Sequence, residues 1–359
     1  MFCQVQYLSA NYMDGQTALS EITKLKEKLQ SVQMPANLQQ KALEQIERIN
    51  LSLRYGGNLS HLDIIEKYID WIVSLPWFTE TKDVIDIVAT KQILDKNHFG
   101  LERIKQRILE YLSIYKLQKE KLGSNAIHTR SLFFVGLAGT GKTTFALSLA
   151  ESLGRKFMRI PFGGLASARD LRGQSKLSPE SEPGKIIQAF REVKVKNPVI
   201  LLDELDRITP DARAEVMGVL LELLDPNQNM HFVDYFLDYP FSLENVLFIA
   251  TANNTNNIAP PVLDRLEIIQ MPSYTDEEKI EIGKNYIFPK YLKLTGVENT
   301  QLTIDEALWP ELVRPLGFEP GIRSLERLIE TIIRKTAYKL VSGQGNNFFI
   351  NENNIKEFM

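Results

Sequence analysis

The run Gly136-Leu137-Ala138-Gly139-Thr140-Gly141-Lys142-Thr143 constrains this chain more than any other stretch. It has the form G-x-x-x-x-G-K-[ST], follows the apolar Leu132–Val135 and precedes the helix-forming Thr144–Leu153. Strand, glycine-rich turn and helix in that order belong to a parallel α/β sheet. Glycines let successive backbone N–H groups point at one spot, which makes an anion nest. The start of the following helix adds its positive end. Residues 136–144, through Thr144, are therefore expected to cradle phosphates. Lys142 is expected to reach the outer phosphates and the Thr143 hydroxyl to ligate Mg²⁺. The expected ligands are ATP and Mg²⁺.

The surrounding pattern agrees with such a sheet. Short β-rich runs, Leu132–Val135, Phe157–Ile160, Val199–Leu202 and Val246–Thr251, alternate with helical stretches. That alternation predicts a parallel sheet with helices on both faces. Upstream, residues 17–54 read as two helices. Ile22, Leu25, Leu29 and Val32 recur at helical spacing, Pro35 interrupts, and a second helix runs from about Leu38 to Leu53. Ser60 and Asp63 suggest a capping box for a helix ending at Pro76. Another helix is expected over Leu101–Leu117. Beyond Pro272 the reading is helical again, over Asp276–Tyr286, Asp305–Leu312 and Ile322–Leu340, with a small strand at Phe348–Ile350. The expected division is a helical arm over 1–80, an α/β nucleotide-binding domain over 81–271, and a mostly helical domain over 272–359.

Two further strands end in polar residues. Val199-Ile200-Leu201-Leu202 runs into Asp203-Glu204, as a buried strand would when it delivers a carboxylate beside a metal. In that reading Asp203 holds Mg²⁺ through water and Glu204 polarises the attacking water. Paired acids at a strand end also occur as ordinary solvated loop residues. Val246–Ala252 ends in Asn253, and parallel strands end at the sheet edge where ligands bind. Asn253 is thus placed to reach a terminal phosphate or a water, or simply opens the Asn-rich loop 253–257.

Composition excludes several alternatives. With 42 Lys+Arg against 45 Asp+Glu the net charge is -3, and no long block of like charge occurs. This argues against a mainly electrostatic nucleic-acid or membrane binder. The basic clusters Lys24/Lys26/Lys28 and Lys116/Lys119/Lys121 read as solvated helix faces. A lone cysteine, Cys3, makes an internal disulfide impossible and fits a reducing compartment, so a cytoplasmic protein is expected. The four histidines are scattered without zinc spacing, and no apolar run is long enough for a membrane span.

Together these residues resemble the AAA+ ATPases, and residues from about 62 onward resemble the ATPase module of Lon-type ATP-dependent proteases. The stretches that carry the resemblance include Tyr68-Ile69-Asp70-Trp71, Leu75-Pro76-Trp77, His98-Phe99-Gly100-Leu101-Glu102-Arg103-Ile104-Lys105 and the phosphate loop. They continue through Pro183-Gly184-Lys185-Ile186-Ile187-Gln188, Lys196-Asn197-Pro198, Leu202–Asp206 and Leu223-Leu224-Asp225-Pro226. Leu263-Asp264-Arg265 and Gly321-Ile322-Arg323-Ser324-Leu325-Glu326-Arg327 complete the set. The resemblance implies a P-loop core followed by a helical lid. It implies that Arg265 is an arginine finger completing a neighbouring subunit's site, and that Arg323 is the lid's sensor arginine. It places His98, Phe99 and Gly100 in the adenine pocket. A finger acting in trans requires a ring, and the resemblance implies a hexamer.

Two departures qualify that picture. No stretch resembles the family's Ser-Lys proteolytic site, so this chain is expected to hydrolyse ATP without itself cutting peptide bonds. Its partner is then unfolded protein or a separate protease chain. The family also grips polypeptide with an aromatic–aliphatic pair on a central loop. By ungapped counting that pair falls on Ser178 and Pro179, within Gln174-Ser175-Lys176-Leu177-Ser178-Pro179-Glu180-Ser181-Glu182, which has no aromatic residue. The alternative is an AAA+ nucleotide switch or remodelling ATPase acting on another partner, nucleic acid or a protein complex, without translocating peptide. The Asn-rich loop after the third expected site strand is one residue longer than the family's.

Overall fold

The computed structural model describes residues 20–55, 60–122, 129–178, 180–314 and 321–359. Cys3 and Pro179 lie outside the described residues.

Helix α1 spans 20–30, and Pro35 separates it from α2, Ala36–Arg54. Helix α3, Ser60–Ser74, begins at the residue expected to cap it; the side chain of Ser60 is outside the described part. Helix α4, Ile87–Asn97, was not expected. Asp86 caps it by accepting the N–H groups of Val88 and Ala89. Helix α5, Glu102–Leu122, starts and ends later than the periodicity suggests. Its start is delayed because Gly100 (φ +60°) and Leu101 (φ +57°) are left-handed.

The core sheet has five parallel strands. They are β1, Ser131–Val135; β2, Phe157–Pro161; β3, Val199–Asp203; β6, Leu247–Ala252; and β7, Leu266–Gln270, with β7 unexpected. Their spatial order is β2-β3-β6-β1-β7. Strands β4, Phe232–Asp234, and β5, Tyr239–Phe241, form a separate antiparallel hairpin. Along β1 the side chains alternate between two cores. Leu132 and Phe134 face a cluster with α4, α5 and α6 (Lys142–Leu153), whereas Phe133 and Val135 face the other.

That second cluster also takes in α8, Lys185–Val193, α9, Arg213–Leu224, and the N-terminal helices. Trp71 meets Phe236 edge-on at 6.4 Å, Trp77 packs on Phe241 at 5.2 Å, and the Tyr68 hydroxyl donates to Leu237 O. Helix α3 is thereby fastened to the hairpin.

The C-terminal helical part has its own core. Helix α12, Asp276–Ile282, opens on a complete capping box, Thr275 with Glu278. The expected continuation to Tyr286 instead becomes one π turn, Gly283–Ile287, before α13, Phe288–Thr295. Trp309–Val313 is α14, and the long α15 runs Arg323–Val341. Strand β9, Phe348–Ile350, pairs parallel with β8, Leu302–Ile304, which the sequence pattern does not reveal.

Candidate functional site

Three neighbouring strands, β3, β6 and β1, end at the same sheet edge. At and just past those ends lie Asp203 and Glu204, Asn253, and the loop Gly136–Thr143. With the helical part opposite, they enclose a cleft of about 310 Å³. Its core wall includes Gly139, Gly141, Lys142, Thr143, Thr144, Asp203, Glu204 and Asn253; its other wall includes Ile282, Tyr286, Ile287 and Arg323. Sheet edges of this kind are where α/β proteins bind ligands.

The loop conformation is one that side chains would resist. Gly139 and Gly141 have φ of +81° and +91°, in the left-handed region that glycine enters without penalty. Gly141 is the N-cap of α6, and no side chain caps the helix there. Its first N–H groups therefore open toward the cleft, a favourable seat for an anion. Lys142 Nζ donates to Gly136 O at 2.6 Å, Leu137 O at 2.9 Å and Asn253 Oδ1 at 3.3 Å. Burial holds its ammonium below the ordinary lysine range; Asp203, Asp206 and Glu204 pull it back up, and Arg323 repels it.

Asp203 is almost fully buried, and both of its oxygens are engaged. Arg159, from β2, donates Nε to Oδ2 at 2.6 Å, and the Thr251 hydroxyl donates to Oδ1. Glu204 turns out of the strand in the left-handed region, φ +60° and ψ +50°. Its N–H donates to Thr251 Oγ at 3.0 Å, and Arg207 Nη1 stands 3.4 Å from Oε1. Asn253 is set by Asp206, which accepts its backbone N–H at 3.1 Å. Asn257 Nδ2 donates to Asp206 O. The Asn-rich loop is thus folded around one aspartate.

These side chains suit Mg²⁺ in a limited way. Asp203 already holds a cationic group at the cleft, and the Thr143 hydroxyl is exposed at the start of α6. Among the described residues no group of three or more His, Cys, Asp or Glu converges on a metal-sized space. Mg²⁺ commonly binds this way, through one or two protein oxygens, waters and a ligand's phosphates.

At the other end of the cleft His98 stacks on Phe145, with ring centroids 3.7 Å apart, and shares a hydrogen bond with Ser148. Burial, reinforced by the charge of Lys105, pushes the imidazole down to about 4. Phe99 packs edge-on against Tyr286. His98 and Phe99 line the cleft; Gly100 does not, and supplies the left-handed turn into α5. The two walls also touch directly. Ile322 N–H donates to Gly139 O at 3.2 Å, and a Cβ on Gly321 would sit 2.4 Å from Ala138 O.

Residues 132–274 match the family described as ATPase family associated with various cellular activities (AAA). Residues 293–348 match the Lon protease AAA+ ATPase lid domain. The chain is an AAA+ ATPase module of the Lon type. Lon protease of Syntrophomonas wolfei is 39% identical over 95% of this chain and 41% of its own length. Lon protease 2 of Thermus thermophilus is 38% identical over 97% of this chain and 44% of its own. For Lon protease 1 of Bacillus subtilis the figures are 37%, 99% and 45%. The chain thus spans less than half the length of these relatives.

Within the Lon-type module the remaining expected residues fall in different places. Arg323 opens α15 and lines the cleft from the lid side. Arg265 lies outside the cleft, with Nη2 on Asp225 at 3.0 Å and Nη1 on Pro261 O at 3.0 Å. Loop 174–182 is tied at its base by Gln174 N–H to Glu182 O and by Gly184 N–H to Asp234. Lys176 lies 4.3 Å from the Tyr68 ring centroid and 3.7 Å from Asp238. Leu177 projects from the loop at 83% exposure.

Sequence reasoning missed Arg159, Thr251, Asp206 and Tyr274, whose hydroxyl donates to Thr140 O. The signal for Thr251 is a lone hydroxyl in the otherwise apolar run Leu247–Ala252. No helix among the described residues is long and apolar enough to cross a membrane.

Proposed function

We propose that this chain binds Mg-ATP in the cleft and hydrolyses its terminal phosphoanhydride bond, using the energy to pull on unfolded polypeptide. The observation that carries the reading is the meeting of Lys142 and Asn253, 3.3 Å apart across two strand ends, beside Asp203 and Glu204. A cation, a buried carboxylate, a partly exposed carboxylate and an amide then surround one spot at a helix N-terminus. Phosphoryl transfer needs little else from a protein, since its catalysis is chiefly positioning and charge neutralisation.

The roles follow from placement. The N–H groups of loop 136–143 and Lys142 bind the phosphates, with Lys142 leaving the loop carbonyls it now occupies. Thr143 and Asp203 are the protein groups that would hold Mg²⁺. When bound, that ion neutralises charge on the phosphate oxygens. Glu204 accepts the proton of the attacking water, and Asn253 orients that water. Arg323 brings the lid's positive charge to the terminal phosphate. His98 and Phe99 offer an aromatic surface for the adenine ring.

Arg265 supports a ring. It stands away from its own cleft, held by a carboxylate on the protein surface, as expected of a residue serving a neighbouring subunit. A homo-hexamer is the proposed assembly. Leu177 is the apolar contact for polypeptide, a weaker grip than an aromatic wedge.

The test is steady-state phosphate release by the purified chain with Mg-ATP, with and without an unfolded polypeptide. Stimulation by the polypeptide is expected. Hydrolysis indifferent to polypeptide would leave the alternative, a nucleotide switch acting on another partner. Absence of hydrolysis in the assembled ring would overturn the reading.

A further inference from the structure

We propose that Thr251 is a positioning residue for ATP hydrolysis, holding the acid pair Asp203-Glu204 in working order through a single hydroxyl group. The proposal rests on the ATP-hydrolysing reading of the cleft and adds a residue to it.

Thr251 is fully buried in β6, one position before that strand ends. The last recorded pairing of β3 with β6 sets Leu202 opposite Ala250. The next step in the same register sets Asp203 opposite Thr251, with both side chains on one sheet face. A hydroxyl has one proton to give and two lone pairs to receive with. Here the proton goes to Asp203 Oδ1, and a lone pair takes the N–H of Glu204 at 3.0 Å. One atom therefore fixes two things at once, the rotation of the Asp203 carboxylate and the backbone turn at Glu204.

The second of these needs fixing. Glu204 has φ +60° and ψ +50°, a region that residues with a side chain seldom enter. Its N–H points back into the sheet, where Thr251 Oγ receives it. That turn aims the Glu204 side chain into the cleft, instead of across the sheet as continued strand geometry would. Arg159 holds the other oxygen of Asp203 from the half-exposed side, so Thr251 is the partner that faces the protein interior. Thr251 does not line the cleft and acts only through the two acids.

Thr251→Val keeps size and β-branching and removes only the hydroxyl. Thr251→Ser removes only the methyl group. Three readouts separate position from bulk: affinity for a fluorescent ATP analogue, Mn²⁺ affinity of the protein–ADP complex by electron paramagnetic resonance, and kcat as Mg²⁺ is varied. Thr251→Val is expected to bind the analogue within about threefold of wild type. Its Mn²⁺ affinity and kcat are expected to fall by about 10–100-fold, the usual cost of removing a partner that orients a metal-binding group. Thr251→Ser is expected to restore both to near wild type. Wild-type Mn²⁺ affinity and kcat in Thr251→Val would overturn the proposal while leaving the ATPase reading intact. Loss in Thr251→Ser equal to that in Thr251→Val would also overturn it, by pointing to packing. If Thr251→Val does not fold, Thr251→Cys replaces it; its weak thiol donor is expected to give an intermediate loss, and wild-type behaviour would overturn the proposal. A wild-type ring that binds the analogue but releases no phosphate would sink the underlying reading and this proposal with it.

Discussion

The two walls of the cleft are built in different ways. On the core wall Lys142, Asp203 and Asn253 are each anchored. Lys142 sits on two carbonyls and Asn253, Asp203 sits between Arg159 and Thr251, and Asp206 holds the loop that carries Asn253. On the lid wall the side chains come from the end of α12, the π turn, α13 and the first turn of α15, and the lid has its own hydrophobic cluster. The contrast teaches a division of labour. In the proposed reading, groups that must hold sub-ångström positions are set in a parallel sheet, whereas those that would report on the nucleotide are set on a separate helical body.

The comparison breaks at its first premise if two walls are not enough. Arg265→Ala is expected to leave nucleotide binding intact and lower turnover of the assembled ring by about 10³–10⁵-fold. Full turnover by that variant, with assembly checked by light scattering, would mean that one subunit's walls suffice. Glu204→Gln isolates the core wall. It is expected to bind ATP normally and lower kcat by about 10²–10⁴-fold, the usual range for a lost general base. Titration of a fluorescent ATP analogue alongside phosphate release checks both halves.

Gly321→Val isolates the joint between the walls. Its Cβ would sit 2.4 Å from Ala138 O, a backbone atom that cannot step aside. Overpacking of this kind costs about 1–3 kcal/mol, which here is expected as a nucleotide affinity lower by about 5–150-fold. An unchanged dissociation constant would show that the lid does not need this seat. The smallest effect on turnover is expected at His98, which concerns stability. Its folded pKa of about 4 lies below the ordinary 6.5, so the unfolded chain binds the proton more tightly. The stability this buried neutral ring contributes is therefore present above about pH 6.5 and lost as pH falls toward 4, by about 3 kcal/mol. His98→Gln should flatten that part of the denaturation profile; an identical acid slope would remove the assignment.

Much of the core wall was legible because its chemistry follows strand ends. Glycine spacing, an apolar run ending in acids and a second ending in Asn253 each mark where a parallel strand stops. The fifth strand, Leu266–Gln270, escaped because Leu-Glu-Ile-Ile-Gln follows directly on Asp264-Arg265, where a charged stretch reads as loop. Helix α4 escaped because Ile87–Asn97 buries only Thr90 and Leu94, too few for a helical stripe. Arg159 is illegible as a site residue, and Thr251 carries only the faint signal of a lone hydroxyl in an apolar strand. Their importance arises from register between strands far apart in the chain, which no local pattern carries. Of the lid wall only Arg323 is expected, and that from the family resemblance, since no local pattern marks it; the π turn that brings Tyr286 and Ile287 to the cleft reads in sequence as plain helix.

One hydrogen bond, Ile322 N–H to Gly139 O, has a mechanical meaning. It joins the phosphate loop to the base of α15, a rod of 19 residues. Such a rod is about 28 Å long at 1.5 Å per residue. A tilt of about 5° at its base therefore displaces the far end by roughly 2.5 Å over that length. If a bound phosphate shifts the loop, the loop and α15 would serve as a short input arm and a long output arm on one fulcrum, turning a small adjustment into travel large enough to move whatever bears on the rod's far end.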